Sequence, residues 1–232
     1  VDQQIEGEEP FWEEIAVVEY PCPVAFFAMI LNPGFQDRLI HKNAGVETTW
    51  VIVTDLLPSA LPEDFQFPES PFPSSETDPA FELIHLRDYY SSAQYEAGSS
   101  EPERSGEAAW DRFVDARSEA KAAVGSVPSV RLQIQGVFSG TTQAWDAIDI
   151  DFFPSNAAYE ALVADETRQQ ALFHREAALA GSYSLITYPT LNIVPGVPEG
   201  NDNGGADIGS LPVTEMGVGQ VCMSDAGCVG VG

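Results

Sequence analysis

Positive charge is what this chain has least of. Ten Lys and Arg stand against 36 Asp and Glu in 232 residues, for a formal net charge of −26. A field of that sign repels phosphate backbones and anionic lipid, which argues against nucleic acid and membrane surfaces as partners. It suits a solvated extracellular or high-salt protein, or one that gathers divalent cations, and the plainest role is a solubilising surface. No run approaches the roughly 20 apolar residues of a membrane span, and the start carries no n-region and h-region signal. Val1 is not an initiator, so the chain is expected to be processed or cut from a longer parent. Cysteine is scarce, with three in all. Cys222 and Cys228 lie close together in a Gly-rich tail that tolerates a small disulfide loop, which leaves Cys22, flanked by Pro21 and Pro23, as a thiol. That pairing points to an oxidising compartment, extracellular or periplasmic. Walker, GxGxxG, GxSxG and CxxCH patterns are all missing, so nucleotide, serine-hydrolase and c-type haem chemistry have no foothold.

What the chain does have is an internal repeat at an offset of 133 positions, without a gap. It pairs Trp12 with Trp145, Ile15 with Ile148, Pro21 with Pro154, Gln36 with Gln169, His41 with His174 and Thr54 with Thr187. Leu39/Leu172 and three Ala pairs complete the identities, and many other pairs exchange one apolar residue for another. A repeat constrains architecture before any element is assigned. With 44% hydrophobic residues there is enough apolar material for one large or two small cores.

In the second copy, Trp145–Phe153 reads as a strand ended by Pro154. Asn156 caps a helix to about Ala164, Asp165 caps a continuation to about Ala180, and Tyr183–Tyr188 is a closing strand. In the first copy Asn32-Pro33 takes the place of Asp165-Glu166, a cap residue followed by the first-turn position that Pro favours, so both copies read strand–helix–strand. Before the second copy, Phe81–Tyr90 and Val130–Phe138 have strand character, and Gly106–Val124 carries Trp110, Phe113, Val114, Arg117 and Ala120 at helical spacing. Four regions follow: residues 1–56, a partial first repeat; 57–80, a Pro-rich linker; 81–190, a complete β-α-β-β-α-β unit; and 191–232, a Gly-rich tail. The expected fold class is α+β, with tandem antiparallel sheets carrying helices on one face and the first copy incomplete.

The stretches DIDFFPSNAAYEALVADETRQQALFHREAALAGSYSLIT and VVEYPCPVAFFAMILNPGFQDRLIHKNAGVETTWVIVT resemble the C-terminal half of dimeric α/β-barrel (ferredoxin-like) proteins. A small uncharacterised family is the nearest likeness, with a strand ending in Phe/Tyr-Pro, a helix bearing His-Arg and a closing strand. The resemblance implies that two sheets pair into a barrel, here within one chain. It names no chemistry, because relatives include cofactor-free monooxygenases, haem enzymes and non-catalytic proteins.

Candidate residues fall into three groups. His41 and His174 are kept by the repeat, each followed by a cation near a helix C-terminus, where capping or packing is the plainer role and a ligand or proton shuttle the sharper one. If the even positions of Val130–Phe138 face the helices, Arg131, Gln133 and Gln135 face the opposite way. Asp149 and Asp151 could join them there, with His85 or Arg87 nearby; this is the interior of a barrel, and either a ligand pocket or cross-strand ion pairing. In the tail, Asp202, Asn203 and Asp207 stand among glycines as oxygen donors do in calcium loops, although without EF-hand spacing. No other cofactor is implied. These readings favour an exported, non-catalytic protein that assembles or binds a protein partner, which could be an upstream fragment of its own precursor. The alternative is a small-molecule binder or cofactor-independent enzyme using the barrel interior.

Overall fold

The structure, a computed structural model, describes residues 2–8, 11–57 and 69–189. The tail residues Asp202, Asn203, Asp207, Cys222 and Cys228 lie outside them, as does most of the Pro-rich linker. The described residues are mixed α+β and divide into two compact units, residues 2–15 with 50–189 and residues 16–49.

The larger unit is built on one six-stranded antiparallel sheet. In chain order its strands are β1 (Gln3–Glu6), β2 (Val51–Leu56), β3 (Phe81–Tyr89), β4 (Val127–Ser139), β5 (Ala147–Phe153) and β6 (Leu179–Thr187), and across the sheet they run β1-β6-β3-β5-β4-β2. Helices α4 (Gly106–Ala123), α5 (Asn156–Ala164) and α6 (Glu166–Ala178) belong to the same unit. From residue 81 the order is β-α-β-β-α-β, the second helix being broken in two at Asp165, and the strands that open each half, β3 and β5, lie side by side at the centre.

Local chemistry places the helix ends. Ser105, Ser155 and Asp165 each accept a hydrogen bond from a first-turn backbone N–H, from Ala108, Ala158 and Arg168 respectively. At the far end of α4 the Gly125 N–H donates to the Ala122 carbonyl and the Ser126 N–H to that of Lys121, a Schellman closure that needs the φ of +81° only glycine takes readily. The Asp78 carboxylate accepts from the N–H groups of Asn156 and Ala157 and so ties the approach to β3 to the start of α5.

Strand alternation sorts the side chains onto two faces. One face carries Ile84, Leu86, Val130, Leu132, Ile148, Ile150, Tyr183 and Leu185, packed with Trp145, Trp12, Trp50 and Ile52. The repeat-related pairs Trp12/Trp145 and Trp50/Tyr183 thus share one cluster, with Trp50 4.8 Å from Trp12 and 6.4 Å from Tyr183 between ring centroids. The opposite face is covered by the helices. There Phe81, Phe153 and Ile186 pack with Ala158 and Leu162, while Trp110 and Phe113 of α4 meet Ala171 and Ala178 at the α4–α6 contact. The small alanines let the two helices approach over bulky aromatics.

The smaller unit contains α1 (Pro23–Leu31), α2 (Pro33–Gln36) and α3 (Leu39–Gly45). Shifted by 133, α1 coincides with α5, and α2 and α3 together span α6 with an interruption at residues 37–38. Asn32 caps α2 by accepting from the Gly34 N–H, as Asp165 caps α6. None of the residues of these three helices is buried.

Two expectations are corrected here. Residues 12–20 were expected to form the leading strand of the first copy, and they form none. Their counterpart β5 has β3 and β4 on its two sides, and a strand persists only by pairing. Conversely, β1 was not expected, because Gln3 and Gln4 break the apolar signal; it is an edge strand held by pairing with β6.

Candidate functional site

The polar residues singled out in sequence do converge, but on the face beneath the helices. Cross-strand pairing sets Arg131 opposite Asp149, Asp149 opposite His85 and His85 opposite Ser184, one row across four strands. Lys121 of α4 reaches Asp151 at 2.6 Å, and Trp110 of the same helix lies over Arg87, 4.7 Å from ring centroid to Cζ. The even positions of β4 therefore face the all-apolar side, and the expectation that they meet the helices is reversed. The reason is that α4 brings its own cations and aromatics, so that it covers a charged face, while the aliphatic face is closed by tryptophans.

The row is a chain of ion pairs. Arg87, 1% exposed, donates from Nη2 to Asp149 Oδ1 at 2.7 Å, and the half-exposed Arg131 approaches the same oxygen at 3.3 Å. Burial by itself would raise the Asp151 carboxyl; Lys121, Arg117 and Arg87 outweigh it and hold its pKa below 3.8. Lys121 is pulled down by the same burial despite Asp151 beside it. At the β1 end, Arg175 donates to both Glu6 oxygens at 2.5 and 2.6 Å, Ser182 donates to Glu6, and Ser184 Oγ lies 3.3 Å from it.

His85 sits inside this set, with Nε2 2.9 Å from Ser182 Oγ and 3.8 Å from Glu6, and its ring edge-on to Trp110 at 5.3 Å. Glu6 would favour the imidazolium. Burial, Arg87, Arg175 and Arg117 together win and push the pKa well below 6.5, so the ring is neutral at neutral pH. Of the remaining expected members, Gln133 donates to the Asp146 carbonyl at 2.8 Å and Gln135 is exposed; neither joins the network.

His174 and His41 have different surroundings despite the repeat. His174 is 6% exposed, with Nδ1 2.8 Å from the Tyr95 hydroxyl, and its pKa is lowered mainly by burial, against the pull of Glu101. His41 is exposed on α3. Beside the Tyr95–His174 pair opens a cleft of about 410 Å³ walled by Tyr95, Phe173, Gln94, Glu96 and Glu176. Aromatic faces with two carboxylates suit an organic cation better than an anion. No cluster of three or more His, Cys, Asp or Glu able to hold a metal occurs among the described residues.

Sequence reasoning missed Glu6, Ser182, Lys121 and Tyr95. Arg117 was noted only as a member of the α4 stripe, and a cation on an inward stripe was the readable signal that the stripe faces charge.

No family model and no curated protein matches this chain. Among solved structures, a crystal structure of methylated RPA0582 protein is similar at 23% identity over 51% of this chain and 86% of that one, with a TM-score of 0.45. A structure of the RPA0582 protein of unknown function from Rhodopseudomonas palustris gives 22% identity, 50% and 86% coverage, and a TM-score of 0.45. No helix among the described residues is long and apolar enough to cross a membrane.

Proposed function

We propose that the chain is an exported, non-catalytic member of the dimeric α/β-barrel (ferredoxin-like) proteins, a tandem whose incomplete first repeat assembles with a second copy of the chain. One observation carries this reading. Helix α1 is the uninterrupted apolar run PVAFFAMIL, yet none of its residues is buried, and Val24, Phe27 and Leu31 are 60, 46 and 73% exposed. A nine-residue helix is marginal alone in water, and contiguous exposed apolar surface marks an interaction site. The repeat indicates what is wanted: α6 packs through Ala171 and Ala178 on Trp110 and Phe113 of α4, whereas its counterpart α3 has no buried residue. The absence of catalysis is supported by the polar set, in which Asp149, Asp151 and Glu6 are each engaged by a cation.

Sedimentation velocity over a micromolar concentration series tests the proposal. The protein is expected to sediment as an assembly and the Phe27→Glu, Leu31→Glu double variant as a smaller species with unchanged far-UV circular dichroism. A wild-type protein that stays monomeric throughout the series, like its variant, would overturn it.

A further inference from the structure

The charged face beneath α4 has more donors than acceptors. Among the described residues, Arg87, Arg117, Lys121, Arg131 and Arg175 meet only Glu6, Asp149 and Asp151 there, while His85 is neutral. Half of the chain's ten Lys and Arg thus gather in one place in a protein of net charge −26. Three carboxylates engage four of these cations: Lys121 holds Asp151, Arg175 holds Glu6, and Arg87 shares Asp149 with Arg131. Arg117 has no ion pair among the described residues and lies against the rings of Trp110 and Phe113, at 5.8 and 4.9 Å.

The unmade hydrogen bonds lie in the same region. Arg87 Nε and Nη1, Arg117 Nε and Trp110 Nε1 are all buried with no hydrogen-bond partner among the described residues. Both guanidinium groups lie within 6 Å of the Trp110 ring, so these four N–H donors gather around one side chain. A buried donor without an acceptor costs about 1–3 kcal/mol, more when charged, so four together call for an acceptor that the protein does not supply. Ring faces account for part of the attraction to the cations.

We propose that a small monovalent anion binds beneath α4, accepting from Arg87, Arg117 and the Trp110 indole and offsetting the surplus positive charge of that face. Its sign follows from the donors. The site is independent of the α1 surface, so this proposal and the assembly proposal stand or fall separately.

The test uses the full chain dialysed into sodium gluconate, whose anion is much larger than chloride, then titrated with sodium chloride at constant ionic strength. Screening of the net charge is thereby held fixed, and only site binding changes. The melting midpoint is expected to rise by about 3–5 °C by the point where chloride is about ten times its dissociation constant, and to keep rising with the logarithm of chloride beyond it. The Trp110 indole N–H resonance should shift with site occupancy and saturate. Arg117→Met, which keeps an apolar stem against Trp110 and Phe113, is expected to abolish both responses. Equal midpoints in chloride and gluconate with an unmoved indole signal would overturn the proposal, as would an Arg117→Met variant that still responds. Should that variant fail to fold, the wild-type indole titration decides alone: a saturating shift supports the site and a flat one removes it.

Discussion

Replacing Lys121 by Met is the most informative perturbation of the larger unit, because its partner Asp151 is committed to the interior. The two side chains are 12 and 8% exposed and 2.6 Å apart. At an effective dielectric constant of about 20 their attraction is roughly 6 kcal/mol, against a desolvation cost of several kcal/mol per ion, so the intact pair contributes little net stability. Removing one partner is different. Asp151 keeps its desolvation cost and loses its nearest cation, and breaking a buried pair in this way costs about 3–5 kcal/mol. Arg117 and Arg87 still favour the carboxylate, which places the expected loss near the lower end, about 3 kcal/mol. In a unit of this size that lowers the midpoint by roughly 6–12 °C. The double variant Lys121→Met, Asp151→Leu, which removes both charges, should recover to within about 1 kcal/mol of wild type. Urea unfolding followed by tryptophan fluorescence measures both. A single variant that loses less than about 1 kcal/mol, or a double variant as unstable as the summed single variants, would refute the view that a desolvated pair holds α4 to the sheet.

Two other outcomes are expected. Folded His85 has its pKa well below the ordinary 6.5, so the unfolded chain binds the proton first; stability is full above about pH 6.5 and falls as the pH drops below it, and His85→Gln should flatten that part of a midpoint-versus-pH curve, a slope unchanged by the variant counting against the assignment. Gly125→Ala should cost about 1–2 kcal/mol in urea unfolding, because the residue sits at φ +81° and a Cβ would stand 2.6 Å from that of Ser70; an unchanged urea midpoint would show that the turn after α4 can re-form another way.

Much of the fold was legible because it is written in short-range terms. Asp165 caps α6 as expected, the cap of α5 is Ser155 and not the expected Asn156 one residue on, and β3 and β5 begin and end within two residues of their expected bounds. That Arg131, Asp149, Asp151 and His85 share a face was legible as well, since alternate positions of a strand share a face. Which face they take was not legible. Alternation tells that Arg131 and Asp149 stand on the side opposite Leu132 and Ile148, but the choice between helix and open side depends on whether α4 presents aliphatic or charged residues inward, and an Ala-rich helix with Trp110, Phe113 and Arg117 on one stripe reads either way.

The sequence by itself determined the repeat, the limits of α5 and the start of α6, and the α+β class, because caps, periodicity and a fixed offset of 133 are properties of neighbouring residues or of direct comparison. Only the tertiary structure decided that residues 12–20 form no strand while Gln3–Glu6 do, that α4 closes over ions rather than over Val130 and Leu132, and that Tyr95 meets His174 across 79 positions. Each of these depends on what lies opposite in space. A strand needs a neighbour with free hydrogen-bonding groups and a buried charge needs its counter-charge, and both partners come from distant parts of the chain.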